Sequence, residues 1–362
     1  HLCDRRQRQM CIRDRYCRYV LKFKQPAGTS RGTLLEKETY FLKLEDEEFP
    51  GHYGLGECAV FRGLSMDDVP NYEECLREVC ANIGRDEMSD LSQFPSIKFG
   101  LETAIYDFSN GCRRIPFPSD FTEGNAEIPI NGLVWMGTKE EMLKRIDDKI
   151  KAGFTTIKLK VGAIDYESEL ELVKHIRKVF PPEVLTIRLD ANGGFTAENV
   201  MSRLEGFARY GIHSIEQPVK AGQWELMRRV CDESPIDIAL DEELIGIVEP
   251  QKMGEMLEAV KPKYIILKPS LIGGFSGSSE WMRQASFRGV GGWITSALES
   301  NVGLNAIAQW TAQMGASMPQ GLGTGALFVN NFDSPLVQEG EVLRFNPQKT
   351  WNIPELDWKT VE

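Results

Sequence analysis

Thr155-Thr156-Ile157-Lys158-Leu159-Lys160-Val161-Gly162 is the stretch around which the rest of the chain arranges itself. Thr, Ile and Val favour an extended backbone, and Gly162 marks its end. Side chains alternate faces along a strand, so Lys158 and Lys160 share one face while Ile157 and Leu159 share the other. Two ammonium groups on one face repel, which predicts a lowered pKa for at least one of them. A lysine of lowered pKa can take a proton near neutrality. The plain alternative is an edge strand carrying two lysines against aggregation. The sequence that follows decides between the two.

From Ile128 onward short apolar strands alternate with helical stretches. Strands are predicted to end near Asn131, Lys160, Asp190, Glu216, Asp241, Lys268 and Thr295, with a last one around 318–322. From Lys160 the spacings are 30, 26, 25, 27 and 27 residues. Units of that regularity imply parallel strands joined by right-handed crossovers. Eight in succession point to a closed α/β barrel rather than an open sheet. No Gly-x-Gly-x-x-Gly follows the first strand, which argues against a dinucleotide fold.

In such a barrel the chemistry collects at the C-terminal ends of the strands. Leu185 to Asn192 runs out at Asp190, Ile212 to Pro218 at Glu216, Ile236 to Glu243 at Asp241, and Tyr264 to Pro269 at Lys268. A single acid there could cap the next helix. Three on consecutive strands, flanked by lysines, form a set of hard oxygen donors with no His or Cys among them. That set suits one Mg²⁺, with Mn²⁺ as a chemically similar substitute. A carboxylate bound to such an ion loses its α-proton more readily, and a lysine on either side can take or return it. The reaction class is therefore proton abstraction α to a carboxylate, with an epimer, a dehydrated acid or a cycloisomer as product.

The whole chain has 362 residues, 42% hydrophobic, with 18 Pro and 33 Gly, enough for a large domain and an accessory one. Its net charge of −11 is unevenly spread: residues 1–24 hold eight Lys/Arg against two Asp, so the remainder is strongly acidic. An acidic body argues against nucleic acid, and the early arginines lack interleaved aromatics. No apolar run approaches a membrane span and no signal-peptide core is visible. The eight cysteines lack metal-site spacing and read as free thiols of a cytoplasmic protein. Residues 1–15 have no periodicity and are expected to be non-native or disordered.

Tyr16–Lys24 and Glu38–Leu44 read as strands of a meander, joined by the small-residue loop 25–32. Arg31 at its tip could meet a substrate carboxylate, or be no more than a solvated hairpin arginine. Helices are expected at Tyr72–Ile83 and Phe94–Cys112, and Pro116 and Pro118 mark a boundary. The expected division is an N-terminal domain over 16–125, the barrel over 126–325, and a tail over 326–362 that packs back on the first domain.

Lys158-x-Lys160, Asp190-x-Asn192, Glu216-Gln217-Pro218, Asp241-Glu242 and Lys268-Pro269, in that order, resemble the muconate-lactonising subgroup of the enolase superfamily. The resemblance covers nearly everything from Tyr16. It implies a modified TIM barrel, (β/α)7β, with an α+β capping domain built from the N-terminal part and the C-terminal tail. It also implies that Asp190, Glu216 and Asp241 bind Mg²⁺. Lys160 would be the acid/base, Lys268 would face it across the substrate, and Lys158 would tune Lys160. Glu242 is left outside the ligand set.

Three further stretches resemble the o-succinylbenzoate synthases of that superfamily: Pro26 to Gly32, Thr295 to Gly303 and Pro319 to Gly325. They add Arg31, Asn192, Ser296, Ser300 and Gly323 as expected substrate contacts. Ser296 and Ser300 precede a helix expected over Leu304–Met314, where capping and carboxylate binding are compatible. Gly323 would let a bulky substrate approach the backbone. Dipeptide epimerases of the superfamily carry Asp-x-Asp at the last strand, and this chain has Gly321-Leu322-Gly323. The implied reaction is Mg²⁺-dependent dehydration of 2-succinyl-6-hydroxy-2,4-cyclohexadiene-1-carboxylate to 2-succinylbenzoate, through an enediolate, in menaquinone biosynthesis. An N-succinylamino acid racemase would use both Lys160 and Lys268 and is the runner-up. A non-catalytic relative should have lost a strand-end acid or lysine, and none is replaced. The expected partner is a small-molecule carboxylate, with no nucleic acid and no membrane; a homo-oligomer is compatible with the pattern.

Overall fold

A computed structural model describes residues 12–29, 32–46, 51–83 and 90–360. Aromatic and aliphatic residues interspersed with charged ones draw β1 (Ile12–Thr29) and β2 (Gly32–Asp46) into a long antiparallel hairpin, with β3 (Tyr53–Cys58) beside it. Helices α1 (Tyr72–Asn82) and α2 (Pro95–Ser109) cover this sheet. The Gly54-Leu55-Gly56 spacing has a steric cause. A Cβ at Gly56 would run into the Gly100 carbonyl, and Gly100 in turn faces Cys58. Backbone therefore packs on backbone where α2 crosses β3. Tyr40, Leu42, Leu76, Ile97 and Leu101 fill the space between.

A second sheet is wholly parallel. β4 (Glu127–Pro129) precedes it. Then follow β5 (Gly132–Val134), α3 (Lys139–Lys151), β6 (Thr156–Lys160), α4 (Tyr166–Arg177), β7 (Thr186–Asp190), α5 (Val200–Ala208) and β8 (Ser214–Glu216). The alternation continues with α6 (Trp224–Glu233), β9 (Asp237–Leu240), α7 (Pro250–Val260), β10 (Tyr264–Leu267), α8 (Gly274–Phe287), β11 (Gly291–Ile294) and α9 (Asn301–Gln313). The strands lie in chain order from β5 to β11. Ile157, Leu159, Ile187, Leu189 and Ile215 are fully buried against the helix layer, leaving the other face of each strand to the interior. Helices begin where the local chemistry lets them: Thr138 and Glu141 form a capping box on α3, and Asp165 accepts from the Ser168 N–H on α4.

The sheet closes between its first and last strands through residues 320 and 321. Gln320 bridges Ile130 and Gly321 bridges Thr295, both in parallel sense. The eighth strand expected over 318–322 is thus reduced to two bridges. An α/β architecture with an antiparallel capping sheet and a barrel of parallel strands is what results, as the resemblance implies. The tail adds the hairpin of β12 (Leu336–Glu339) and β13 (Val342–Phe345), of which β13 pairs with β4, and β14 (Lys359–Thr360), which pairs with β1.

Four local expectations are corrected. Residues 12–15, expected outside the fold, belong to β1 and pair with residues 43–46. The loop expected over 25–32 is mostly strand: β1 runs to Thr29, with a register shift between Lys22 and Ala27, and Gly28 bridges Met136 at the barrel. The strand predicted to end near Asn131 divides between two sheets, because β4 turns to pair with β13 while β5 joins β6. The eighth strand is shortened because Pro319 and the glycines at 321, 323 and 325 offer little to a ladder. The opening residues 1–11 lie outside the described residues. Six of the cysteines (17, 58, 75, 80, 112 and 231) are described, and none of the six forms a disulfide.

Candidate active site

Register brings the strand-end charges together. Lys160 pairs with Asp190 across β6 and β7, and Asp190 with Glu216 across β7 and β8. Asp241 follows β9 and Lys268 follows β10. Lys158 Nζ lies 2.8 Å from Asp190 Oδ2 and 2.6 Å from Glu216 Oε2. Lys160 Nζ lies 3.0 Å from the same Asp190 oxygen and donates to Asn192 Oδ1 at 2.5 Å. Lys268 pairs with Asp241. Asn192 is held in the left-handed region at φ 43° and donates onward to Glu242 Oε1 at 3.0 Å.

The expected fall in lysine pKa does not hold for Lys158. Burial pulls its pKa down, but the Asp190 and Glu216 carboxylates outweigh this and hold it well above the ordinary value. Lys268 is raised for the same reason, by Asp241, Glu216 and Glu242 against burial. Like-charge repulsion on the strand face loses to acids supplied by the next strands. Glu216 shows the converse. Burial, with Asp190 and Asp241 beside it, pushes its carboxyl up to about 8.

As the side chains stand, no three His, Cys, Asp or Glu among the described residues form a metal-holding group, each of the three strand-end carboxylates being turned onto a lysine. Their chemistry nevertheless fits a hard divalent cation. All are carboxylate oxygens on neighbouring strands, and Glu216 Oε1 is buried with no hydrogen-bond partner. A 2+ ion at that point would relieve the crowding that raises the Glu216 carboxyl.

These groups form the floor of a pocket. Lys158, Lys160, Asp190, Asn192 and Lys268 line it, with Thr295, Ser296, Ala297, Leu298, Gly321, Gly323 and Thr324 from the closing side. Sequence reasoning missed its apolar walls: Leu133 and Trp135 from β5 and beyond, Leu271 after Lys268, and Phe61 and Leu64 reaching over from the capping sheet. No periodic signal marks these residues, since packing between the two units places them. Asn131 also lines the pocket and was likewise missed.

The expected substrate contacts fare unevenly. Arg31 lies outside the described residues. Asn192, Ser296 and Gly323 line the pocket. The Ser296 hydroxyl, though, donates to Glu299 Oε2 at 2.6 Å and accepts from the Leu298 N–H at 3.1 Å. Ser300 is fully buried and is not among the lining residues. It caps α9 by accepting from the Val302 N–H, and its own N–H and hydroxyl donate to Glu57 of β3 at 2.9 and 2.6 Å. Gly321 rather than Gly323 is the glycine the fold demands. A Cβ there would lie 2.5 Å from Thr295 Oγ1, whereas one at Gly323 would meet only ordinary contacts.

Buried amides and acids that touch no pocket atom fix the loops. Gln217, at φ 41°, accepts from the Asp241 and Glu243 N–H groups and donates to Glu243 Oε2. It thereby sets the turn that carries Asp241. Glu169 accepts from the Gly162 and Ala163 N–H groups and pins the loop after Lys160.

Residues 141–344 match the family model described as enolase C-terminal domain-like. The chain is 43% identical over 362 residues to the o-succinylbenzoate synthase of Desulfotalea psychrophila, covering 91% of this chain and 97% of that protein. The crystal structure of MenC from the same organism superposes with a TM-score of 0.79, at 40% identity, over 92% of this chain and 99% of that one. A dipeptide epimerase from Cytophaga hutchinsonii, solved in complex with Mg and a dipeptide, shares the fold at 19% identity and a TM-score of 0.80, over 97% and 99% of the two chains. This chain, then, belongs to the enolase superfamily, and its barrel is the enolase C-terminal domain-like one.

Proposed function

We propose that this enzyme dehydrates 2-succinyl-6-hydroxy-2,4-cyclohexadiene-1-carboxylate to 2-succinylbenzoate, the o-succinylbenzoate synthase reaction of menaquinone biosynthesis. The observation that carries the reading is 43% identity to such a synthase over 91% of the chain, with the lysine and acid pattern complete. The pocket supports it. Among the described residues, its closing side offers Thr295, Gly321 and Thr324 but no carboxylate to meet a substrate amine, as a dipeptide epimerase would need.

Asp190, Glu216 and Asp241 would hold one Mg²⁺. When bound, that ion supplies positive charge to the substrate carboxylate and acidifies the α-carbon. Lys160, standing beside Asp190 and Asn192, takes the α-proton. Lys268 holds its ammonium charge on the other side and stabilises the negative charge that develops. Lys160 then gives the proton to the departing hydroxyl. The C–H and C–O bonds break, water leaves and the ring becomes aromatic. Lys158, bonded to two of the three acids, fixes their orientation. The apolar wall of Phe61, Leu64, Leu133 and Trp135 keeps water from the ring.

The substrate is a small-molecule carboxylate. The six described cysteines, all without a disulfide, support a cytoplasmic setting. The test is loss of cyclohexadiene absorbance with Mg²⁺ present, run beside deuterium exchange at the α-carbon of N-succinyl amino acids in D₂O. Fast dehydration with little exchange supports the synthase. Exchange without dehydration replaces it with the racemase, for which the lysines lining the pocket from β6 and after β10 provide two bases.

A further inference from the structure

Lys37 is a buried charge that the proton transfer leaves unused. It lies on β2, 6% exposed, and its Nζ is buried with no hydrogen-bond partner among the described residues. Its side chain leaves the strand on the same face as Thr39, whose hydroxyl donates to Glu57 Oε1 at 2.9 Å. The charges that face it are Glu57 from β3, Glu299 just ahead of α9, Glu38 on its own strand and Asp67 ahead of α1. Burial lowers the Lys37 ammonium from its usual range, and those four acids act against the fall, Glu57 foremost. An unbonded ammonium inside a protein is costly in free energy, and Met would fill a similar volume without that cost.

Glu57 is the neighbour that needs a counter-charge. The Thr39 hydroxyl, the Ser300 N–H and hydroxyl and the Gly303 N–H all donate to it. A proton on that carboxyl would set a donor against donors. Burial pushes the Glu57 carboxyl up, Glu299 adds to the push, and Lys37 is the largest influence against it. Ser300 follows Glu299 directly. Glu299 in turn accepts from the Ser296 hydroxyl, the Ala297 N–H and the Ser270 hydroxyl. Ser296, Ala297 and Leu298 line the pocket, and Ser270 stands two residues past Lys268. Leu298 sits at φ 66°, a left-handed conformation that a leucine keeps only under restraint from its surroundings. This wall of the pocket is thus a strained segment gripped by two buried acids, one of them from the capping sheet.

We infer that Lys37 is a positioning residue for the reaction: as the counter-charge to Glu57 it keeps residues 296–300 clamped to the capping sheet and, through the Glu299–Ser270 bond, steadies the turn that follows Lys268. The capping sheet then sets the geometry of the chemistry as well as covering the pocket. This rests on the dehydratase reading for the part that Lys268 plays. The sign of the pH dependence follows. Without Lys37 the Glu57 carboxyl takes up its proton at higher pH than in the parent, so the clamp is lost as pH falls and regained as pH rises.

Lys37→Met tests it, with Lys37→Arg as the variant that keeps the charge. Both are compared with the parent for kcat and KM on the diene, with saturating Mg²⁺, from about pH 6 to about pH 9. The expected result for Lys37→Met is a kcat about tenfold or more below the parent at the acid end, converging on the parent at the alkaline end, with KM changing less. Lys37→Arg recovers most of the loss. Mg²⁺ affinity by calorimetry stays close to that of the parent, since Asp190, Glu216 and Asp241 lie outside the clamp. Should Lys37→Met not fold, Lys37→Gln is read in the same way. A loss that is flat with pH and follows the melting temperature marks a merely structural lysine and overturns the inference. So does a parent-like kcat throughout, or failure of both uncharged variants to fold. Amide hydrogen exchange at Ala297, Ser300 and Gly303 judges the clamp without a substrate. A parent that fails to dehydrate the diene, beside an uncharged variant with lowered protection at those amides, keeps the clamp and loses the reaction. Unchanged protection there removes Lys37 from the clamp.

Discussion

Lys160 stands with its amine 3.0 Å from Asp190 and 2.5 Å from Asn192, held by groups that a cation or substrate would draw away. Lys160→Ala should lower turnover by roughly 10²–10⁴-fold, the usual worth of a positioned base. Mg²⁺ affinity by calorimetry should stay close to that of the parent. Activity within tenfold of the parent would remove Lys160 from the proton transfer. Chelation should abolish activity and added Mg²⁺ should restore it. A chelated protein of full activity would remove the acids from that role. At this scale the strand-end charges were legible because a two-residue strand period and a repeat of 25 to 30 residues fix where each side chain points. The acids that raise Lys158 come from strands more than 25 residues away, so a reading confined to one strand does not include them. Trp135 was invisible, since nothing in its neighbourhood distinguishes a pocket wall from a core position.

Turns, rather than strands, hold Asp241 and the loop after Lys160 in place. Gln217 sits in the left-handed region and accepts two backbone N–H bonds from the 241–243 turn. Gln217→Ala should therefore weaken Mg²⁺ binding about 10–100-fold, the typical effect of removing a support behind a ligand. It should do so without a comparable loss of cooperative unfolding. Unchanged Mg²⁺ affinity in calorimetry would sink this. Gly321→Ala is expected to push Thr295 out of place and lower kcat/KM, while Gly323→Ala, with ordinary space around its Cβ, should be milder. Equal effects would put the argument from close approach in doubt. The sequence pattern located elements of this kind to within a residue or two in the barrel. It failed at β4 and β5 and at 320–321, where pairing partners far along the chain decide which sheet a segment joins.

Across the whole molecule, the capping sheet and the barrel are tied by buried hydrogen bonds as well as by apolar packing. Glu57 of β3 is fully buried and accepts from Ser300, Gly303 and Thr39. Nothing near Glu57 in the sequence reveals that tie, because its barrel partners Ser300 and Gly303 lie more than 240 residues on. Glu57→Ala should lower the unfolding free energy by at least about 2 kcal/mol, given several bonds to one buried charge. A chemical-denaturation midpoint equal to the parent's would contradict it. The pairing of β14 with β1 has a consequence for the timing of synthesis. At about 5–20 residues per second, the ribosome makes the first hairpin some tens of seconds before Lys359 and Thr360 emerge to cover its edge. The hairpin thus waits with an open edge through translation of the entire barrel, the interval in which a chaperone has most to shield.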